Sequence, residues 1–322
     1  MRFIAPFTAL LALLAVAPLA NAQGYPSKPL RIIVPVAPGG AVDTVARGLA
    51  PTLGQSLGQP VVVDNRPGAS GIIGLNACVK SAPDGYSVCL TNSDSISFSP
   101  LLHSNLPFSP SRDLAPVIQV AFIDTVMTSS ALLPVSSMRE LLDLAIAKPG
   151  AIAWSSFGNG SIGHLYIEWL RNTTGAVFNH VPYKGAAPAL NAVVGGEVQV
   201  SMVSLGQAIP VVRAGRLRAL ALSGSRRSAL MPEVPTFEEL GLDLQVRPWL
   251  GMFAPAGTPV EIIRRLNAEI AKILRDPKFR EQQLTARALD PAGESAEEFA
   301  EYLKADRERA AKLVKIAGVK PD

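Results

Sequence analysis

VPVAPGGAVDTVARGLA, residues 34–50, decides the fold: an apolar run ends in Pro38-Gly39-Gly40, and helically spaced residues follow at once. Residues 30–36, LRIIVPV, are β-branched and nearly continuous, the pattern of a parallel strand buried on both faces. The spacing predicts a helix from the double glycine to about Leu57, bent at Pro51. A strand, a tight turn and a helix in that order leave free amides and a positive helix end at the turn, which favours a bound anion.

The same grammar repeats along the chain. A strand at 61–64 leads through the loop 65–71 to a helix at 72–80, and a third strand, YSVCL, ends in the polar loop Thr91-Asn92-Ser93-Asp94-Ser95. Farther on, Ser137 and Glu140 have capping-box spacing and open a helix over 138–147. Strand AIAWSSF leads into Gly158-Asn159-Gly160-Ser161-Ile162-Gly163 and the helical segment HLYIEWLRN. Strand VFNHVPY leads into Lys184-Gly185-Ala186-Ala187-Pro188 and a helix at 189–194, and VQVSMV ends in Ser204-Leu205-Gly206-Gln207. The expected fold is α/β in two halves, each a mostly parallel sheet flanked by helices. Glycine- and serine-rich loops then lie at the carboxyl edges, where open α/β sheets bind ligands. The tail returns to helices: Thr258-Pro259-Val260-Glu261 reads as a capping box with proline at the first helical position, and Ile262, Leu266, Ile270 and Ile273 form an apolar stripe. Ser295 with Glu298 opens a last helix that Gly318 ends.

Residues 1–22 combine Arg2, an apolar stretch, and Ala20 and Ala22 around Asn21, the form of a secretory signal peptide cleaved before Gln23. Pro6 and Pro18 interrupt the run, which falls short of the roughly 20 apolar residues of a spanning helix. The mature chain is thus expected to be soluble and outside the cytoplasm, and its roughly 300 residues suit two domains. Net charge is +4 with the basic residues dispersed, which argues against a nucleic-acid partner. The two cysteines, Cys78 and Cys89, form either a disulfide, as an oxidising compartment favours, or a pair of buried thiols.

Gly158, Gly160 and Gly163 match G-x-G-x-x-G between a strand and a helix, but Phe178-Asn179-His180 stands where the ribose-binding acid of a dinucleotide site belongs. Secretion also argues against a diffusible nicotinamide, and Pro38-Gly39-Gly40 lacks the G-K-[ST] ending of a phosphate loop. No cofactor is expected, and outside the cytoplasm the anion of choice is a carboxylate. No G-x-S-x-G, H-E-x-x-H or C-x-x-C occurs. His164 and Glu168 lie one helical turn apart without a third ligand, so no metal is expected. His164 either donates a hydrogen bond towards a cleft or caps its own loop; Asp43 either steadies the helix dipole or accepts from a ligand hydroxyl or ammonium group. Lys184, Tyr183 and Trp249 each have a pocket role and a bland one: solvated charge, core filler and seal of the interdomain joint.

The segments VPVAPGGAVD, VVVDNRPGASGIIG, PDGYS, WSSFGNGSIGH, HVPYKGAAPAL, PEVPTFEELG and WLGMFAPAGTP, in this order, resemble the Bug-type (TctC-like) solute-binding proteins of tripartite tricarboxylate transporters. The resemblance covers essentially the whole mature chain. It implies a monomeric periplasmic-binding-protein fold of type II, with domain 1 over 23–122 and 250–322, domain 2 over 123–249, and hinge crossings near 122–126 and 246–250. It also implies a small organic acid or amino acid as ligand, held by its carboxylate through backbone amides and water, and the membrane components of such a transporter as partners. Carried over, the first-domain contacts fall on Ala37, Gly39, Gly40 and Asp43, with Ser70 and Ser93 nearby. Those of the second domain fall on Gly158, Gly160, Ser161, His164 and Tyr183, and Ser204 completes the pocket. Two departures stand out: Val203 and Ser204 replace an aspartate that many relatives carry, and Asp94 replaces a small polar residue. A purely anionic tricarboxylate would meet Asp94 unfavourably, which points to a neutral or cationic distal group on the ligand. The rival readings are a secreted α/β hydrolase or lyase built on His164 and Asp43, and a receptor that serves a sensor kinase.

Overall fold

The computed structural model describes residues 24–159, 161–224, 226–242, 246–319 and 321, apart from the side chain of Ser70. The signal peptide at 1–22 and the start at Gln23 lie outside these residues. The first strand, β1 (Leu30–Val34), sends Leu30, Ile32 and Val34 to one face and Ile33 to the other, and all four are buried. Helices cover both faces of its sheet, so an uninterrupted apolar run is what the position requires. α1 (Ala41–Leu57) buries Val42, Val45, Leu49 and Leu53, carries Pro51 within it, and stops at Gly58.

The remaining elements are β2 (Val61–Asn65), α2 (Ile72–Val79), β3 (Ser87–Asn92), β4 (Leu114–Ile123), β5 (Thr125–Ser130), α3 (Met138–Ala147), β6 (Ala153–Ser156), α4 (Ile162–Thr174), β7 (Asn179–Pro182), α5 (Ala186–Val194), β8 (Val200–Ser204), α6 (Leu205–Arg213), β9 (Leu217–Leu222), β10 (Trp249–Pro255), α7 (Val260–Arg275), β11 (Leu289–Pro291) and α8 (Ala296–Ala317). One sheet has the order β11-β4-β10-β3-β1-β2 and the other β7-β6-β8-β5-β9. Strand β1 pairs in parallel with β2 on one side and β3 on the other, and β6 does the same with β7 and β8. Successive crossovers therefore leave in opposite directions from the carboxyl ends of β1 and β6, which makes those two ends the switch points where a crevice opens.

Both sheets are mixed rather than mostly parallel. β10 runs antiparallel to β3 and β4, β11 antiparallel to β4, and β5 antiparallel to β8 and β9. The reason is the chain's passage between lobes: only Asp124 separates β4 from β5, and the return is made just before β10. Arg247, at that return, bonds Asp124 at 3.1 Å and Asp290 at 2.9 Å, and its guanidinium lies over Phe122. Helix α8 ties the lobes together from behind. Phe299 and Leu303 pack with the first sheet, Ala310, Leu313 and Ala317 with the second.

Local expectations meet three corrections. The polar loop after β3 is instead a helical turn, Asp94–Phe98, running into Ser99–Leu102, because Ile96, Phe98 and Leu102 are buried there. Thr258 does not cap α7: its hydroxyl donates to Pro255 O at 2.7 Å, and Pro259 takes the cap position. Cys78 and Cys89 are free, buried thiols in contact, not a bridge; burial first, and then Cys78, push the Cys89 thiol up. The capping box of Ser295 and Glu298 is complete, and Gly318 ends α8 in the left-handed conformation.

Candidate functional site

The turn after β1 is closed by its own helix. Gly39 has φ +93°, which glycine adopts without strain, and its N–H donates to Asp43 Oδ2 at 3.0 Å. Asp43 also accepts from Arg47 Nε at 3.1 Å and from Asn65 Nδ2 at 2.9 Å. Asn65 reaches it because the parallel register sets Asn65 beside Val34 at the end of β1. Burial pushes the Asp43 carboxyl up, but the bonds from Gly39, Arg47 and Asn65 outweigh it and the net shift is downward. Asp43 thus anchors the turn within its own lobe.

Gly40 differs from its neighbour. Its φ of −82° is open to any residue, and a Cβ there would meet nothing within 4 Å. Neither backbone conformation nor packing calls for glycine at this position. Its bare main chain precedes the first turn of α1, whose N–H groups have no intrahelical partner.

In the second lobe the loop after β6 is held by serines. Ser161 Oγ donates to Gly158 O at 2.8 Å, and Ser156 Oγ does so at 3.0 Å. Ser156 Oγ also lies 2.6 Å from His180 Nε2, and the His164 ring stacks on His180 with centroids 4.4 Å apart. Burial, then His164, depress the His180 pKa to about 4; burial lowers His164 as well, against the pull of Glu168. At neutral pH the pair is uncharged.

Two polar contacts between the lobes stand out among the described residues. Gln207 Nε2 donates to Gly39 O at 3.4 Å while its Oε1 accepts from Ser204 Oγ at 2.7 Å. Around this bridge Gly39, Gly40, Ala41, Thr44, Ser204, Gly206, Gln207, Arg287 and Leu289 line a cavity of about 180 Å³. In the second contact Asp94 Oδ2, from the first lobe, accepts from the N–H of Ile162 at the start of α4, 3.4 Å away.

Residues 45–319 match the family model described as Tripartite tricarboxylate transporter family receptor. The chain belongs to this family. Protein BugT of Bordetella pertussis is 36% identical to it over 321 residues, 99% of this chain and 98% of that one. An R. palustris protein solved with adipate superposes with TM-score 0.88 at 30% identity, over 92% of this chain and 100% of the other. The periplasmic binding protein BugD gives 0.86 at 30% identity with the same coverage. The chain is therefore a solute-binding receptor of this family with a two-lobed α/β fold. Among the described residues no helix is long and apolar enough to cross a membrane, and no group of three or more His, Cys, Asp or Glu is placed to hold a metal.

Of the contacts expected from sequence, the receptor brings Gly39, Gly40 and Ser204 to one cavity. Ala37 does not line that cavity; its Cβ lies 3.8 Å from where a Cβ on Gly185 would lie. Gly158 and Ser161 bond each other, and Ser93 is buried under Asp94, with 3.5 Å between hydroxyl and carboxylate. Tyr183 packs against the apolar cluster of Leu190 and Val193. Gly160 and the Ser70 side chain lie outside the described residues. Trp249 is buried in the first lobe's apolar cluster with Phe253 and Phe299 and donates to Asp306 Oδ2 at 2.8 Å, so it neither lines the cavity nor seals the joint between lobes. Sequence reasoning missed Thr44, Gln207 and Arg287. Gln207 stood in a quoted loop; Arg287 had no local signal, because only the pairing of β11 with β4 carries it to the cleft.

Proposed function

We propose that the receptor captures a small carboxylate-bearing metabolite in the periplasm and presents it to the membrane components of a tripartite tricarboxylate-type transporter. The observation that carries this reading is Gly40: an ordinary backbone angle and open space at its Cβ, on the wall of the cavity between lobes. A side chain is absent where an anion must approach the amides that begin α1. Adipate, present with the R. palustris relative, is a carboxylate of this kind. Gln207 and Ser204 supply polar groups from the opposite wall, and Arg287 adds positive charge beside the turn. Because the ligand touches both lobes, it stabilises the closed arrangement, and the exclusion of water strengthens each amide-to-carboxylate bond.

The test is a thermal-shift screen of the purified mature protein against mono- and dicarboxylates, amino acids and aromatic acids. A ligand that binds only the folded form raises the melting temperature by mass action. At least one carboxylate is expected to do so and to be recovered unaltered. A screen in which only uncharged solutes shift the melt, or in which the bound acid is chemically converted, overturns the reading.

A further inference from the structure

The carboxylate that occupies the start of α4 belongs to the protein itself. Asp94 is partly buried at the junction of the lobes, and the donors found for it are neutral: the Ile162 N–H at 3.4 Å and the Ser93 hydroxyl at 3.5 Å. Ser161, at the cap position of α4, turns its hydroxyl back to Gly158 O and leaves that first turn to Asp94. One turn along the helix from Ile162, the Tyr166 hydroxyl is buried without a hydrogen-bond partner, and it feels the Asp94 charge. A half-satisfied acid and an unpartnered hydroxyl at a junction of lobes are groups that call for a further partner. In the cavity around Gln207 the sign is reversed: Arg287 lines it with Gly39 and Gly40 at the positive end of α1.

We infer that Asp94 is a specificity-determining residue, selecting monocarboxylates whose far end is a hydrogen-bond donor or cation and disfavouring diacids. The inference rests on the proposed carboxylate-binding role. A second carboxylate directed at the α4 end meets Asp94, not a free helix terminus, and like charges at close range repel. The neighbouring imidazoles, His164 and His180, are held neutral and offer no compensating charge. An amide or hydroxyl, by contrast, can donate to Asp94 and accept from Tyr166; an ammonium group can donate to Asp94.

Titration calorimetry on the mature protein tests this with probes matched in length: succinate, succinamate and 4-aminobutanoate, then adipate, adipamate and 6-aminohexanoate. At the better-fitting length the monoamide or the ω-amino acid is expected to bind at least tenfold more tightly than the diacid. Asp94→Asn is expected to shrink that ratio at least tenfold. A wild-type receptor that binds the diacid as tightly as its monoamide and its amino acid overturns the inference, as does an Asp94→Asn variant with the ratio unchanged. Should Asp94→Asn fail to fold, Asp94→Ser makes the same comparison, and the wild-type ratio decides by itself. If no member of either series binds, the carboxylate-binding reading fails too, an outcome distinct from diacid preference.

Discussion

Two aspartates on the first lobe titrate in opposite directions. Asp43 has its folded pKa lowered, so its stabilisation is complete above the unfolded value near 4 and is lost as pH falls through the lower folded value. Asp43→Ala removes an acceptor shared by Gly39, Arg47 and Asn65, a loss of about 2 kcal/mol at pH 7 in urea unfolding, shrinking at strongly acid pH. Asp94 is the reverse case. Burial raises it to about 6, so the folded protein holds that proton more tightly than the unfolded chain, and its ionisation costs stability that is fully felt only above pH 6. Asp94→Asn should therefore gain on wild type by up to about 3 kcal/mol between pH 4 and pH 7, read by the same unfolding measurement. Equal pH dependence in the two proteins would contradict the burial of an ionised Asp94. Both residues were visible in sequence as acids beside glycine- and serine-rich turns. Their partners were not, because Asn65 depends on strand register and Ile162 on the docking of one lobe against the other.

Among elements, legibility followed range. The β1 run, the Ser295 box and the Gly318 stop are local signals, and each appears where the spacing puts it. Thr258 shows how a local signal fails: its hydroxyl found a nearer carbonyl acceptor than the helix. Strands β4, β5 and β10 drew no sequence expectation, since each pairs antiparallel with strands far along the chain. Helix α8 was expected at the terminus, but not that its two ends would pack on different lobes. Ser295→Ala removes an acceptor for the Glu298 N–H and should lower stability by about 1 kcal/mol in denaturant melts. No change would mean that packing on both lobes, not the cap, determines where α8 begins.

At the scale of the molecule, binding and lobe contact are one event. Gly206 of α6 lies so close to the first lobe that a Cβ would fall 2.1 Å from Arg287 O, a main-chain atom that cannot step aside alone. Gly206→Ala should improve the helix intrinsically while holding the lobes apart. The expected outcome is an unchanged or slightly higher melting temperature without ligand, affinity at least tenfold weaker, and a larger radius of gyration by X-ray scattering under saturating carboxylate. Unaltered affinity would show that the 287–206 contact is not part of the bound arrangement. The central claim, that the main-chain amides that begin α1 take the ligand's carboxylate, is tested most directly by calorimetry on Gly40→Val with the carboxylate that raises the wild-type melt most. A Cβ fits at this position without touching the protein, so the account predicts a native melting temperature and binding weakened at least a hundredfold. Wild-type affinity in that variant would contradict it.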